Sequence, residues 1–365
     1  MIVNLPGWHT GRKIIVMDSD DWGSIGLPSI EVFNQLSRSG FRIENNPYLK
    51  YDSLASEDDL TALFDILRKF KDKNGQSPVL TANTVVANPD FIKIKDTDFR
   101  EYHYELFTDS LKRYPKHSGS FNLWKQGMKD LLFYPQFHAR EHLNVDYWMK
   151  ALQAGHKQIS LGFNHGFYIL DNATHPDIEH SCTSAHYPKS INEHDQITKA
   201  IEDGLEIFKR IFGYPSRSFT GTGYIWSSKI EPMLSNNDVK FLKSIFIQRD
   251  PIIGTQKLKK RYHYTGKRNN WNLIHLVRNA FFEPGLSNIK DKSVVDCLER
   301  IDTAFSCRKP AIIATHRINY IGYIDEKFRY ENLRLLAELL GQILKKYPDV
   351  EFLNSDELGN LVRKG

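Results

Sequence analysis

Short apolar runs alternate with amphipathic stretches along most of this 365-residue chain. The runs IIVM at residues 14–17 and PAIIAT at residues 310–315 have the length and β-branched content of buried strands. Residues 57–71 and 326–346 place leucine and phenylalanine at helical spacing and predict helices. Strands that alternate with helices pack as a parallel sheet covered by helices, which is either open or closed into a barrel.

The composition is that of an ordinary globular protein. Aromatic residues make up 12% of the chain and charged residues 25%, which excludes disorder over most of the length. There is no internal repeat and no linker rich in Pro, Gly or Ser, so residues 1–365 are predicted to form a single domain. A polar stretch at about 162–190 is predicted to be a loop region inserted into it. Three scattered cysteines exclude a disulfide framework.

The sequence indicates neither export nor a lipid environment. The N-terminus has no apolar segment of 7–15 residues behind basic residues, and no run approaches the ~18 apolar residues of a membrane span. We therefore expect no membrane span and a cytoplasmic location. The net charge of +5 is mild for this length, and we expect no nucleic-acid partner.

An acidic cluster follows the first predicted strand. Asp18, Asp20 and Asp21 lie within the run DSDDWG at residues 18–23. Carboxylates this close repel one another unless a cation or a proton offsets their charge. Because α/β folds carry their sites at the carboxyl ends of the strands, we interpret the cluster as part of a site rather than as a solvated turn.

Three histidines add to this chemistry. His138 and His142 are four residues apart, which places them on one face of a helical turn, about 6 Å apart at Cβ, where both could bind one metal ion. Two histidines and one carboxylate leave positions open for water and substrate, as in catalytic metal sites. His316 directly follows the strand PAIIAT and could act as a general acid or base near neutral pH.

In this order the motifs resemble those of the polysaccharide deacetylases, carbohydrate esterase family 4. That family has a strand ending in T-F-D-D-G, a His-x-x-x-His metal motif, a helix–Gly–strand unit ending in Arg-x-Pro-x-Gly, and a strand ending in Leu-His. The counterparts here are DSDDWG at 18–23, HAREH at 138–142, EDGLEIFKRIFGYPSRSFTGTGY at 202–224 and IIATHR at 312–317. The resemblance implies a distorted (β/α) barrel with about seven parallel strands and hydrolysis of an acetyl group on a carbohydrate.

The register of the acidic motif is open. If Asp20 and Asp21 replace the paired aspartates of the family, Asp20 is the catalytic base and Asp21 a metal ligand. If the site uses a D-x-D spacing, Asp18 is the base and Asp20 the ligand, and strand alternation puts both on one face. We favour the first reading, because Asp20-Asp21 stands beside a turn-forming glycine as in the family motif.

The Arg-x-Pro-x-Gly motif is absent. Residues 220–224 read TGTGY instead, so the arginine that would orient the catalytic carboxylate is missing from its usual place. Arg217, Arg249 and Arg278 are the candidates to replace it, and the sequence does not choose among them.

The resemblance further implies a divalent metal, most simply zinc, since imidazole ligands suit it. The implied ligands are Asp21, His138 and His142. Asp20 would take a proton from a water molecule, and a backbone N–H near Gly223 and Tyr224 would stabilise the oxyanion. His316 would protonate the leaving amine or alcohol. Asn83 and Trp22 are expected to line the substrate pocket, Trp22 by stacking on a sugar ring.

Two other functions stay open. HAREH also fits H-x-x-E-H, the pattern of a class of zinc metallopeptidases in which Glu141 would be the general base. The missing arginine motif favours instead a catalytically inactive barrel that binds a glycan. The basic residues at 257–261 and 267–268 are interpreted as a solvated hairpin, with contact to an anionic glycan as the alternative.

Overall fold

The computed structural model describes residues 2–255, 257–287 and 289–364. The strands are β1 (Ile14–Trp22), β2 (Leu80–Val85), β3 (Ala87–Pro89), β4 (Tyr104–Leu106), β5 (Phe133–Ala139), β6 (Ser218–Thr220), β7 (Phe241–Ser244), β8 (Ile247–Pro251), β9 (Leu258–Tyr262), β10 (Ile274–Val277), β11 (Ala280–Phe281), β12 (Ala311–His316) and β13 (Glu351–Phe352). The α-helices are α1 (Ile30–Arg38), α2 (Pro47–Tyr51), α3 (Glu57–Arg68), α4 (Phe91–Asp96), α5 (Phe107–Arg113), α6 (Ser120–Lys129), α7 (Val145–Gln153), α8 (Lys157–Asn164), α9 (Ile191–Phe212), α10 (Glu231–Asn236), α11 (Lys292–Ser306), α12 (Glu326–Lys346) and α13 (Ser355–Lys364).

One curved sheet organises the fold. Its strands follow the order β10-β7-β6-β5-β2-β1-β12-β11, with β13 also paired to β1, and the pairings between these strands are parallel. The distorted (β/α) barrel expected from the sequence is confirmed. Over the described residues the sheet has nine strands rather than about seven, because β11 and β13 are two-residue strands without a clear apolar run.

A single short segment joins the two ends of the sheet. β10 pairs with β7 at one end, and β11, which begins at Ala280, pairs with β12 at the other. Between them the Arg278 N–H donates to the carbonyl of Ser244 at 2.8 Å, and the Asn279 N–H donates to that of Ile312 at 3.1 Å. Residues 278–279 therefore form a seam at which the chain changes partner strands.

The helices agree with the apolar periodicity and the capping residues of the sequence. α3 begins after Ser56, whose hydroxyl accepts from the Asp59 N–H while the Asp59 carboxylate accepts from the Ser56 N–H, which is a complete capping box. α12 spans the predicted residues 326–346, and its buried leucines pack toward the sheet and α3. α9 ends at Gly213, which takes a left-handed conformation with φ of 80°.

The C-terminal helix fills one side of the curved sheet. Leu358 and Val362 of α13 pack against Val16, Phe241 and Leu276 in one apolar cluster. Gly359 lies so close that a Cβ there would sit 2.5 Å from the Phe241 ring, so only glycine permits this approach. The apolar contacts of α13 concentrate at β1, β7 and β10, and the polar ends of the strands remain free to build a site.

Besides the helices, three parts of the described chain lie outside the main sheet. β3 and β4 pair with each other in a short antiparallel sheet. Residues 165–190 follow α8 without a helix or strand of their own, so the first residues of the stretch predicted as a loop belong to α8. β8 and β9 form an antiparallel hairpin that contains the basic residues 258–261, as the sequence predicted. Among the described helices, none has both the length and the apolar character needed to cross a bilayer.

Candidate metal and acid–base site

A cavity of about 260 Å³ opens where the carboxyl ends of β1, β5, β6 and β12 meet. α2 and residues 168–171 of the irregular segment supply further walls. The lining side chains with polar or ionisable groups include Asp20, Asp21, Tyr48, Asp52, His138, His142, Tyr168, Tyr224 and His316.

Three candidate ligands converge in this cavity. The Asp21 Oδ1 lies 3.5 Å from the His138 Nε2 and 3.6 Å from the His142 Nε2. One ligand atom from each residue lies within 4.8 Å of the other two, and no second such trio occurs among the described residues. The His138 Nδ1 donates to the carbonyl of Thr220 at 2.7 Å, because a carbonyl can only accept, and the Nε2 is the ring atom that faces Asp21.

The conformation predicted for the two histidines is wrong, although their proximity is not. His138 belongs to β5, which ends at Ala139, and His142 follows in an irregular loop rather than on the same helical turn. Their ring centroids are 5.4 Å apart. The strand ends and the chain turns back at the edge of the sheet, so the turn brings the two rings together.

An irregularity in β1 places the Asp21 side chain in this trio. Side chains alternate along a strand, so Asp18 and Asp20 share one face and a regular Asp21 would point to the other. The pairing of β1 with β2 shifts register between Ser19 and Trp22, and Asp21 has a left-handed φ of 73°. The irregularity places the Asp21 carboxylate in the cavity beside the histidines.

Asp20 is held by a forked arginine. The Arg278 Nη1 and Nη2 donate to the two oxygens of Asp20 at 2.6 Å each, and the Asn83 amide donates to the Asp20 Oδ1 at 2.6 Å. Burial would raise the pKa of Asp20, but the Arg278 charge and hydrogen bonds hold it well below its usual range. Of the three candidates Arg217, Arg249 and Arg278, it is therefore Arg278 that contacts Asp20, and it comes from the seam between β10 and β11.

Asp18 lies behind Asp20 and is fully buried. It accepts from the Arg278 Nε at 2.8 Å and from the Lys243 Nζ at 2.9 Å, and it does not line the cavity. Asn83 is also fully buried and donates to both Asp18 and Asp20. The expectation that Asn83 contacts substrate is corrected: it is enclosed by the carboxylates and Lys243, and it orients them.

His316 projects from the end of β12 toward the same cavity. Its Nδ1 contacts the Glu283 Oε1 at 2.6 Å, and its Nε2 lies 3.9 Å from the Asp20 Oδ2. The Tyr48 ring packs edge-on against the imidazole, with centroids 5.4 Å apart. Burial opposes protonation of the ring, but the Glu283 carboxylate outweighs it and raises the pKa of His316 to about 10.

The turn after β6 borders the cavity opposite His316. Gly223 and Tyr224 are both left-handed, with φ of 58° and 57°. The Tyr224 N–H donates to the Gly221 carbonyl at 3.0 Å, and its hydroxyl accepts from the Arg278 Nη1 at 2.7 Å. Beneath the turn, the buried His186 Nδ1 accepts from the Thr222 N–H at 3.1 Å.

The sugar contact expected of Trp22 is wrong, and the alternative in which Glu141 is a general base does not fit the structure. Trp22 is 1% exposed and packs against Trp124 and Phe133, so it cannot stack on a sugar. Glu141 forms a two-point ion pair with Arg140 at 2.6 and 2.8 Å and is not in the trio of candidate ligands. The metallopeptidase reading needs Glu141 on a helix beside the metal, and this geometry contradicts it.

Sequence reasoning missed several residues of the site. Lys243 interrupts the strand FLKS with a charge, which is a usable signal of a buried partner. Glu283 lies just after the short β11, and no local sequence pattern identifies it as a residue of the site. Arg317 and Asp52 form a buried ion pair at 2.7 Å that supports the cavity wall, and the paired positions are 265 residues apart.

No protein-family model matches the sequence, and no curated protein matches it significantly. Solved structures do match. One from Parabacteroides distasonis, assigned as a glycoside hydrolase/deacetylase, has a TM-score of 0.51 at 8% identity, over 98% of this chain and 73% of that chain. One from Mycobacterium smegmatis, assigned as a polysaccharide deacetylase, has a TM-score of 0.45 at 9% identity, over 99% and 93%. One from Pseudomonas aeruginosa PAO1, assigned likewise, has 0.47 at 9%, over 96% and 91%.

The likeness to the Parabacteroides distasonis structure concerns the fold. It extends over nearly the whole chain, while the identity is too low to carry residue roles. This protein thus shares the fold of that glycoside hydrolase/deacetylase structure, and the distorted (β/α) barrel implied by the sequence motifs is confirmed at that level.

Proposed function

We propose that this protein is a metal-dependent hydrolase that removes an N- or O-acetyl group from a carbohydrate. One observation carries the proposal. A single cavity holds three different chemical units: the Asp21–His138–His142 trio, the arginine-bound Asp20 carboxylate, and the glutamate-bound His316 imidazole. Acetyl hydrolysis needs one unit of each kind.

The trio suits a divalent metal ion, and zinc is our first choice. One carboxylate and two imidazoles are common zinc ligands, and three protein ligands leave a position open for water or substrate. The Thr220 carbonyl on the His138 Nδ1 is the outer hydrogen bond that metal-binding histidines usually make. When bound there, a divalent ion lowers the pKa of a water molecule and polarises a carbonyl oxygen.

Asp20 is the base in this proposal. A carboxylate offers about four lone-pair positions, and three hydrogen bonds from Arg278 and Asn83 occupy three of them. The remaining position is on the Asp20 Oδ2, the oxygen nearer to His316. Because its pKa is held low, Asp20 stays ionised over the whole neutral range and can accept a proton only from an activated water molecule.

His316 is the proton donor to the leaving group. With its pKa raised to about 10 it is protonated at neutral pH, and the Glu283 bond on the Nδ1 directs the Nε2 proton into the cavity. Gly223 supplies the oxyanion contact that we propose. The Tyr224 N–H is engaged by the Gly221 carbonyl, so the Gly223 N–H is the better candidate of the two.

Acetate release from acetylated oligosaccharides tests the proposal and separates an enzyme from an inactive glycan-binding barrel. We expect release by the metal-loaded protein, and His316→Ala should lower kcat ~10²–10⁴-fold while metal content and glycan affinity stay near wild type. An absence of acetate release from N- and O-acetylated panels alike would favour the inactive barrel. Loss of metal in His316→Ala would show that His316 is a ligand instead.

A further inference from the structure

The β8–β9 hairpin presents one face to solvent and one to the protein. The register pairs Ile247 with Tyr262, Arg249 with Lys260, and Pro251 with Leu258, and these alternate residues share the outer face, whose exposed members are Arg249, Leu258, Lys260 and Tyr262. The intervening Gln248 and Asp250 are buried on the inner face. We call the outer residues, together with Lys257 at the hairpin tip, the hairpin face.

Two cations stand directly opposite each other on the hairpin face. Arg249 and Lys260 are register partners, and both are exposed. Directly opposed side chains in an antiparallel pair have Cβ atoms about 4.5–5.5 Å apart, and like charges in that position destabilise the pair. The hairpin is therefore built with a repulsion that an anion between the two side chains would relieve.

No acidic side chain on the hairpin offsets this charge. Among the described residues, Arg249, Lys257, Lys259 and Lys260 form no salt bridge. The hairpin's one carboxylate, Asp250, is turned inward, where it accepts from the Ser228 N–H at 3.1 Å.

Protection of an exposed strand edge explains only part of the pattern. Lysines on an edge strand such as β9 discourage pairing with other chains, and Lys259 and Lys260 fit that role. Edge protection does not require a cation at Arg249, because the backbone of β8 is already bridged to Ile225 at that position. Arg249 therefore calls for a different explanation.

The hairpin face begins next to the cavity. Arg249 forms a parallel bridge with Ile225, the residue that follows the cavity-lining Tyr224. At the tip, the Gly254 N–H donates to the Lys189 carbonyl at 3.2 Å, so the hairpin is fixed to the irregular segment that borders the cavity. A polymer held on this face would have one end close to the Tyr224 side of the site.

We infer that the hairpin face binds the acidic sugars of a carboxylated glycan and that the acetylated substrate is part of such a chain, an inference that rests on the proposed function. Carboxylates spaced along a sugar chain can lie between Arg249 and Lys260 and reach Lys257. An acidic glycan is favoured over a nucleic acid because the unpaired hairpin cations lie beside the cavity, while the chain as a whole carries only +5.

Binding to polygalacturonate, a carboxylated glycan without acetyl groups, tests the surface without turnover. The variant Arg249→Glu/Lys260→Glu should lose affinity on the order of tenfold at low salt, and wild-type affinity should fall as salt rises. The matched control is Lys129→Glu/Lys345→Glu. These exposed lysines lie in the last turns of α6 and α12, outside the hairpin, and form no salt bridge among the described residues, so their replacement should leave binding unchanged.

Activity gives the second readout. On an acetylated acidic glycan the hairpin variant should raise KM and leave kcat unchanged. On acetylated xylo-oligosaccharides without uronic acid, which carry no charge, it should change neither. Equal polygalacturonate binding by wild type and variant would overturn the inference and leave the proposed function standing. Hairpin-dependent binding without acetate release from any substrate would contradict the proposed function and leave the binding surface standing. Tighter hairpin-dependent binding of single-stranded DNA than of polygalacturonate would overturn the choice of a glycan.

Discussion

Two pairs of neighbouring histidines in this protein differ in their charged surroundings. His138 and His142 have ring centroids 5.4 Å apart, are tilted by 57°, and both face the Asp21 carboxylate. His263 and His275 are stacked at 3.7 Å with an angle of 12°, and the charges that act on them come from Arg261 and Lys267.

This difference in charge sets the chemistry of each pair. A carboxylate between two imidazoles makes a place for a cation, as at Asp21. Around His263 and His275, burial and nearby cations favour the neutral rings, and the pKa of His263 falls to about 3. Both nitrogens of His275 are buried without a hydrogen-bond partner. Histidine proximity alone therefore does not define a metal site. The charge of the neighbouring group, a carboxylate in one pair and cations in the other, determines whether a metal ion can bind.

The largest expected effect comes from removing the first pair. His138→Ala/His142→Ala should abolish stoichiometric metal binding and acetate release together, because a single carboxylate binds a divalent ion far more weakly than three ligands. His275→Asn, in the second pair, should keep both. Metal analysis of the purified proteins is the measurement, and full metal content in the double variant would place the site elsewhere.

The next largest effect is on activity, and it distinguishes Asp20 from Glu141, two buried acids near the first pair. Asp20→Asn should lower kcat ~10²–10⁴-fold, because it removes the proposed base while leaving the trio intact. Glu141→Gln should keep most activity, since Glu141 pairs with Arg140 away from the candidate ligands. Steady-state acetate release measures both. The reverse ranking would revive the metallopeptidase reading.

The smallest effect concerns acid stability of the second pair. The folded pKa of His263 lies near 3 and the pKa of His275 is also lowered, so the unfolded state binds more protons between about pH 6.5 and 3. Stability should be fully present above about pH 6.5 and fall as the pH drops. Between pH 7 and 5 we expect His275→Asn to lose less stability than wild type, by on the order of 1 kcal/mol.

Urea unfolding at several pH values measures this difference, and taking it between variant and wild type removes the contribution of other titrating groups. His9→Asn is the matched control, because it makes the same exchange of side chains at an exposed position outside the stacked pair. Identical acid slopes for His275→Asn and wild type would show that the stacked pair is not held neutral by the fold.

The fold was predictable from local patterns, whereas parts of the site were not. Helix α12 matches its predicted bounds because leucine spacing and flanking residues are local information. The strand end at His316 was found in the same way. The wrong helical turn at His138 and the wrong sugar contact at Trp22 share a cause: i, i+4 spacing and aromatic character do not say which way a chain turns or what covers it.

Local sequence patterns account for the parallel sheet, for the strand ends that carry Asp20, Asp21 and His316, and for the absence of the motif arginine. The strand position of His138 and the contact of Arg278 with Asp20 emerge only in three dimensions, since Arg278 reaches Asp20 from a seam 258 positions away in the chain. The tertiary structure also decided which aspartate joins the histidines. The register shift in β1 depends on the pairing with β2. The sequence of one segment does not specify how it pairs with a distant segment.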